Sequence, residues 1–127
     1  ALEGLPLTVV GIDVLPGDSA NVVYPSGAGK LPVAVLSSAD FDATQVDPAT
    51  LRFGVAQAAP TSDPVVIANV DGQFGNDTQV RFQVDQSGIL CNDTEVSVSG
   101  ETYAGDPIAG TDAIDASDCA DGSCHVY

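Results

Sequence analysis

The chain has 127 residues, 44% of them hydrophobic, which suits one domain around one core. Eighteen acidic residues face three basic ones (Lys30, Arg52, Arg81), a formal charge of −15 that excludes nucleic acid and anionic membrane surfaces as partners. No run of 18 apolar residues is present, so no membrane insertion is expected.

Fifteen of the acidic residues are Asp and three are Glu. Glu favours helices, whereas Asp bonds its own backbone and favours turns. The chain therefore reads as short strands joined by carboxylate-tipped loops. Val10, Ile12 and Val14 alternate with Gly11 and Asp13, and the strand-like stretch runs from Leu5 to Val14. Pro16-Gly17-Asp18 ends it. Val22-Val23-Tyr24 reads as a short edge strand stopped by Pro25, and Ser26-Gly27-Ala28-Gly29 is a loop. Val33 to Leu36 form an apolar run suited to a central strand.

Asp40, Asp42 and Asp47 read as turn-capping residues with a weaker option of metal binding. Asp47 caps either a short helical turn, with Pro48 first, or a type I turn. Leu51, Phe53 and Val55 then alternate on one face. Val65-Val66-Ile67 is another apolar run, and Asp71-Gly72 is a turn. Val80, Phe82 and Val84 share a face, as do Val96 and Val98. Ser87-Gly88 and Gly105-Asp106-Pro107 separate the last strands, with Tyr103 and Ile108 as anchors. Seven or more short strands punctuated by Gly, Pro and Asp predict an all-β chain folded as a single β-sandwich of immunoglobulin-like type. The domain spans residues 1–127, with a loop-rich, acidic, cysteine-containing tail over 110–127.

Oxygen side chains at Asn69, Asp71 and Gln73, with Asp77 four positions on, resemble the first part of an EF-hand-type loop. The pattern departs from such a loop at Phe74, where a glycine is expected, and at Val80, where a Glu is. The alternatives are a calcium site and a plain Asx-rich hairpin turn. Asp112, Asp115, Asp118 and Asp121 recur every three residues and form either a solvated acidic tail or a second cation cluster.

The cysteines are Cys91, Cys119 and Cys124. Cys119 and Cys124 can close a small disulfide loop, with Asp121-Gly122 as its turn. Cys91 can instead pair with either. Cys119, Cys124 and His125 also allow covalent haem c attachment, with His125 as the axial ligand, although the chain offers no second His and no Met. With this cysteine placement, the Asp- and Gly-rich composition points to an extracellular or cell-surface location. No catalytic motif is found: the single His fits no nucleophilic triad, and no Gly-x-Ser-x-Gly elbow occurs.

Three stretches resemble a module of secreted and surface bacterial proteins: Ile12 to Gly17, Leu31 to Leu36, and Ala39 to Gly54. Asn69 to Gly72, Asp93 to Glu95 and Gly100 to Tyr103 add to the likeness, which covers roughly residues 12 to 115. The resemblance implies a non-catalytic β-sandwich module, in which the Asn69 region corresponds to a calcium loop.

The function expected first is a structural or adhesive extracellular module, calcium-stabilised, partnered by copies of itself or by a larger surface protein. The Leu5 to Val14 segment is its candidate strand for pairing with a neighbour. The alternative is a carbohydrate-binding module that takes polysaccharide on Tyr103 and Tyr24, a reading weakened by the absence of Trp. The third is a haem-bearing electron-transfer subunit.

Overall fold

The computed structural model describes residues 7–16, 21–23, 29–70 and 75–116. The chain is all-β. Its strands are β1 (Thr8–Val9), β2 (Gly11–Val14), β3 (Lys30–Leu36), β4 (Arg52–Phe53), β5 (Val66–Ala68), β6 (Asp77–Gln83), β7 (Glu95–Glu101) and β8 (Pro107–Ala113). They form two four-stranded sheets, ordered β1-β8-β7-β4 and β2-β3-β6-β5. Among the described residues, helical structure is confined to three 3-10 turns of three residues each, and no helix is long and apolar enough to cross a membrane.

Alternation within the strands delivers one face of each sheet to a shared core. Ile12, Val14, Leu31, Val33, Val35, Val80 and Phe82 come from one sheet; Phe53, Val96, Val98 and Ile108 come from the other. Phe53 and Phe82 meet between the sheets as a stacked pair with ring centroids 4.9 Å apart. Such a pair contributes about 0.5–1.5 kcal/mol beyond its buried area.

The segment read as one strand from Leu5 to Val14 divides at Val10. β1 pairs in parallel with β8 in the first sheet, and β2 pairs antiparallel with β3 in the second. At the crossover, the Val10 N–H donates to the Ala109 carbonyl at 2.9 Å. Alternation cannot reveal such a switch, because the period of two continues across it.

Val55 departs from expectation. Leu51 and Phe53 are buried, but Val55 is 86% exposed. The strand stops at Phe53 because Gly54, at φ 75, turns the chain out of the sheet. Phe53 and Ala58 then exchange two backbone hydrogen bonds across the tight turn. Tyr103 is not an anchor either: it is 66% exposed. β7 ends at Glu101, and the turn to β8 carries the tyrosine outward, while its N–H donates to the Gln45 carbonyl. Ile108 is buried as expected.

The segment taken as a tail from residue 110 is partly framework. β8 runs through Ala113, and Ile114 and Ala116 are buried in the core. Asp112 in this strand accepts hydrogen bonds from the Val14 N–H and the Asn21 side-chain amide, both at 2.9 Å. The acidic triplet spacing thus includes a carboxylate that ties β8 to β2. Val22 bridges Asp115 in parallel, so the short edge element expected near Val22 is a single bridge; Tyr24 lies outside the described residues.

Candidate functional site

Of the proposed calcium ligands, Asp77 begins β6 at the end of the molecule where β3 stops. These strands are antiparallel neighbours, with Val35 opposite Thr78. Ser37, just past β3, therefore lies beside Asp77, the first residue of β6. The Ser37 N–H donates to Asp77 Oδ1 at 2.7 Å. The Val70 N–H donates to Asp77 Oδ2 at 3.0 Å. The Ser37 hydroxyl donates to the Asn76 carbonyl at 2.6 Å and accepts from the Ala43 N–H at 2.8 Å. The Thr78 hydroxyl donates to the Ala43 carbonyl at 2.8 Å.

Asp77, Thr78 and Ala43 are wholly buried, and Ser37 nearly so. The Asp77 carboxylate thus joins both ends of the 70–76 segment to the end of β3. Isolated burial of a charge is costly, and backbone N–H donors are a strong form of compensation. None of the three basic residues is bonded to it: Lys30 pairs with Asp63 at 2.9 Å, Arg52 holds the Ala49 and Leu51 carbonyls, and Arg81 is exposed on β6.

Beside this clamp lies an open concavity of about 530 Å3, lined in part by Ser38, Asp40, Asp42, Thr44 and Asn76. Asp42 and Asp47, two of the three residues expected to cap turns, are the N-caps of 3-10 turns. Asp42 accepts from the Thr44 hydroxyl at 2.6 Å and the Thr44 N–H at 3.0 Å. Asp47 accepts from the Ala49 N–H at 3.2 Å. The hydroxyl bond, then the N–H bond, holds the Asp42 carboxyl below its ordinary value.

A folded-state pKa depressed in this way contributes stability above the unfolded value, about 3.9 for Asp, and that contribution is lost as pH falls through the folded value. Thr44→Val removes the first cause. The Asp42 titration, followed by carbon-detected NMR, is then expected to move upward toward the ordinary value. An unchanged midpoint would contradict the assignment.

Of the proposed calcium ligands, Asn69 and Asp77 are described, the former exposed and the latter buried. Asp71 and Gln73 lie outside the described residues. Among the described residues no group of three or more His, Cys, Asp or Glu side chains comes together. Each carboxylate oxygen of Asp77 accepts a backbone N–H. The loop clamp formed by Asp77 was not foreseen. The signal was the Asp-Thr pair opening an apolar strand, Asp77-Thr78, which is unusual at a site where both residues become buried.

Cys91 is disulfide-bonded, with its partner outside the described residues. Cys119, Cys124 and His125, named for the disulfide loop and for haem c, also lie outside them. Tyr103 stands exposed on the β7–β8 turn, and its proposed partner in sugar binding, Tyr24, is not described.

Comparison with known proteins returned no matching family model, no matching curated protein and no matching solved structure.

Proposed function

We propose that the chain is a non-catalytic extracellular structural module. It is a β-sandwich of immunoglobulin-like type, stabilised by calcium at the Asn69–Asp77 loop, and it serves within a larger surface protein or in assembly with its own copies. The observation that supports this reading best is how the chain uses its carboxylates. Asp42, Asp47, Asp77, Asp93 and Asp112 each accept a hydrogen bond from a backbone N–H. The most buried of them secures the base of the loop whose spacing suits a cation.

Such a division suits a scaffold, with side-chain charge spent on fixing turns and strand ends. Asp is a hard oxygen ligand, and a loop fixed at its base loses less entropy when it closes on an ion. The resemblance to bacterial surface modules points the same way, as does the Asp-rich composition for an extracellular, cation-rich setting.

The test is thermal. A ligand that binds only the folded chain raises its stability by about 2.7 kcal/mol at one hundred times its dissociation constant. Calcium is therefore expected to raise the melting temperature and chelator to reverse it, with the shift lost in Asp71→Ala. Equal melting with calcium and with chelator would remove the calcium element of the proposal.

A further inference from the structure

Cys91 is disulfide-bonded, and the chain holds two other cysteines, Cys119 and Cys124. Its partner is therefore one of these two, and a closed Cys119–Cys124 loop is excluded while that bond stands. The fold discriminates between the two candidates.

β7 and β8 pair with Glu95 opposite Ala113. The same antiparallel register runs on past both strands. The Ile114 N–H donates to the Thr94 carbonyl at 3.0 Å, and the Asn92 N–H donates to the Ala116 carbonyl at 3.0 Å. The chain leaving β8 is thus led back along Thr94 and Asn92 to the turn that carries Cys91. That turn is fixed by its own bonds: Asn92 stands at φ 70, and Asp93 Oδ2 accepts from the Leu90 N–H at 2.8 Å. Ile114 and Ala116 are buried in the core, which anchors the chain beside Cys91.

Cys119 follows Ala116 by three positions and Cys124 by eight. Three residues span at most about 11 Å, so Cys119 stays in the neighbourhood of Cys91, whereas eight residues reach about 29 Å. A disulfide needs Cα atoms about 4.4–6.8 Å apart. The chance of closure falls as about the three-halves power of tether length, which favours Cys119 about four-fold. Charge adds to the preference. Closure through Cys124 draws both Asp118 and Asp121 toward Asp93 and Glu95, whereas closure through Cys119 draws only Asp118. Like charges gathered in this way repel.

We propose that Cys91 and Cys119 form an intrachain disulfide, leaving Cys124 as the thiol of the chain. Formation takes a disulfide-bearing oxidant. The Cys91 thiolate attacks one sulfur of that donor, the Cys119 thiolate displaces the same sulfur from the mixed disulfide, and the donor leaves as two thiols carrying the two protons. The crosslink ties the end of β8 to the β6–β7 connection. It also removes the pair of thiols that covalent haem attachment requires, because Cys119 is no longer a thiol. The inference goes beyond the calcium-stabilised scaffold proposed above and does not rest on it.

Peptide mapping tests it. The full chain is oxidised with glutathione disulfide, alkylated without reduction, and cut by a protease specific for Asp. Asp93 and Asp121 lie between the cysteines, so each is released on a separate peptide. The peptide of Cys91 is expected to be joined to that of Cys119, with Cys124 alone carrying the alkyl group or glutathione. Cys124→Ser is expected to keep the crosslink and lose the modified site. A Cys91–Cys124 or Cys119–Cys124 linkage overturns the proposal. So does modification of all three cysteines, or loss of the crosslink in Cys124→Ser. None of these results would alter the calcium-dependent melting shift.

Discussion

Asp77→Ala is expected to lower the melting temperature by roughly 10–20 °C, even with chelator present. The Asp77 carboxylate accepts from the Ser37 and Val70 N–H groups at 2.7 and 3.0 Å, and its residue is wholly buried. Hydrogen bonds to a charged group contribute about 1.5–3 kcal/mol each, and a buried donor left unsatisfied costs about 1–3 kcal/mol. A total of about 3–5 kcal/mol follows, and each kcal/mol moves the midpoint by a few degrees in a domain of this size. Asp77→Asn keeps one acceptor oxygen but turns an amide donor toward another donor, so it is expected to recover only part of the loss. Chelator separates the two roles of this residue: the clamp persists without a cation, and a calcium contribution does not. If Asp77→Ala in chelator melted within a degree or two of wild type, the clamp would not be what holds the loop.

This clamp shows where the sequence was informative and where it was not. Asp77 drew notice through its spacing from Asn69 and Asp71, a pattern that concerns ligands. Its bond to Ser37 depends on the β3–β6 register across forty positions of chain, and no local pattern encodes that register. Local physics was legible. The Asp47-Pro48 turn formed where a capping carboxylate and a preset proline φ required it, and the alternation of Val80 with Phe82 and Val96 with Val98 placed all four side chains in the core.

Long-range competition was not legible. The switch at Val10 continues a perfect alternation, so only the identity of the neighbouring strand distinguishes β1 from β2. The Gly54 turn overrode the Leu51-Phe53-Val55 pattern because a single glycine at positive φ ends a strand whatever follows it. Asp112 looked like one carboxylate in a repetitive tail, yet its place on β8 opposite Val14 makes it an edge cap. The general lesson concerns Asp itself. Its abundance signalled turns, as expected, but the residues that matter most to this fold accept from N–H groups distant in sequence.

Gly110→Ala is expected to destabilise the chain by at least about 1–3 kcal/mol, the usual range for overpacking a filled core. A Cβ at Gly110 would collide with the Val10 carbonyl oxygen and lie 2.5 Å from Ile12 Cγ1. Because a carbonyl cannot rotate away as a side-chain tip can, the crossover itself must move. That movement strains the Val10 N–H bond to Ala109 and the two-residue pairing of β1 with β8. The consequence is more than a loss of stability: displacing β1 opens the β8 edge, which the native chain keeps closed, and an open edge invites strand pairing between molecules. Gly110→Ala is therefore expected to aggregate on heating. Gly29→Ala supplies the control, since a Cβ there meets nothing within 4 Å. Light scattering during a thermal ramp reads both effects together. A Gly110→Ala chain that melts with wild type and stays clear would show that the crossover can yield to a methyl group, and that closure of the β8 edge does not depend on this glycine.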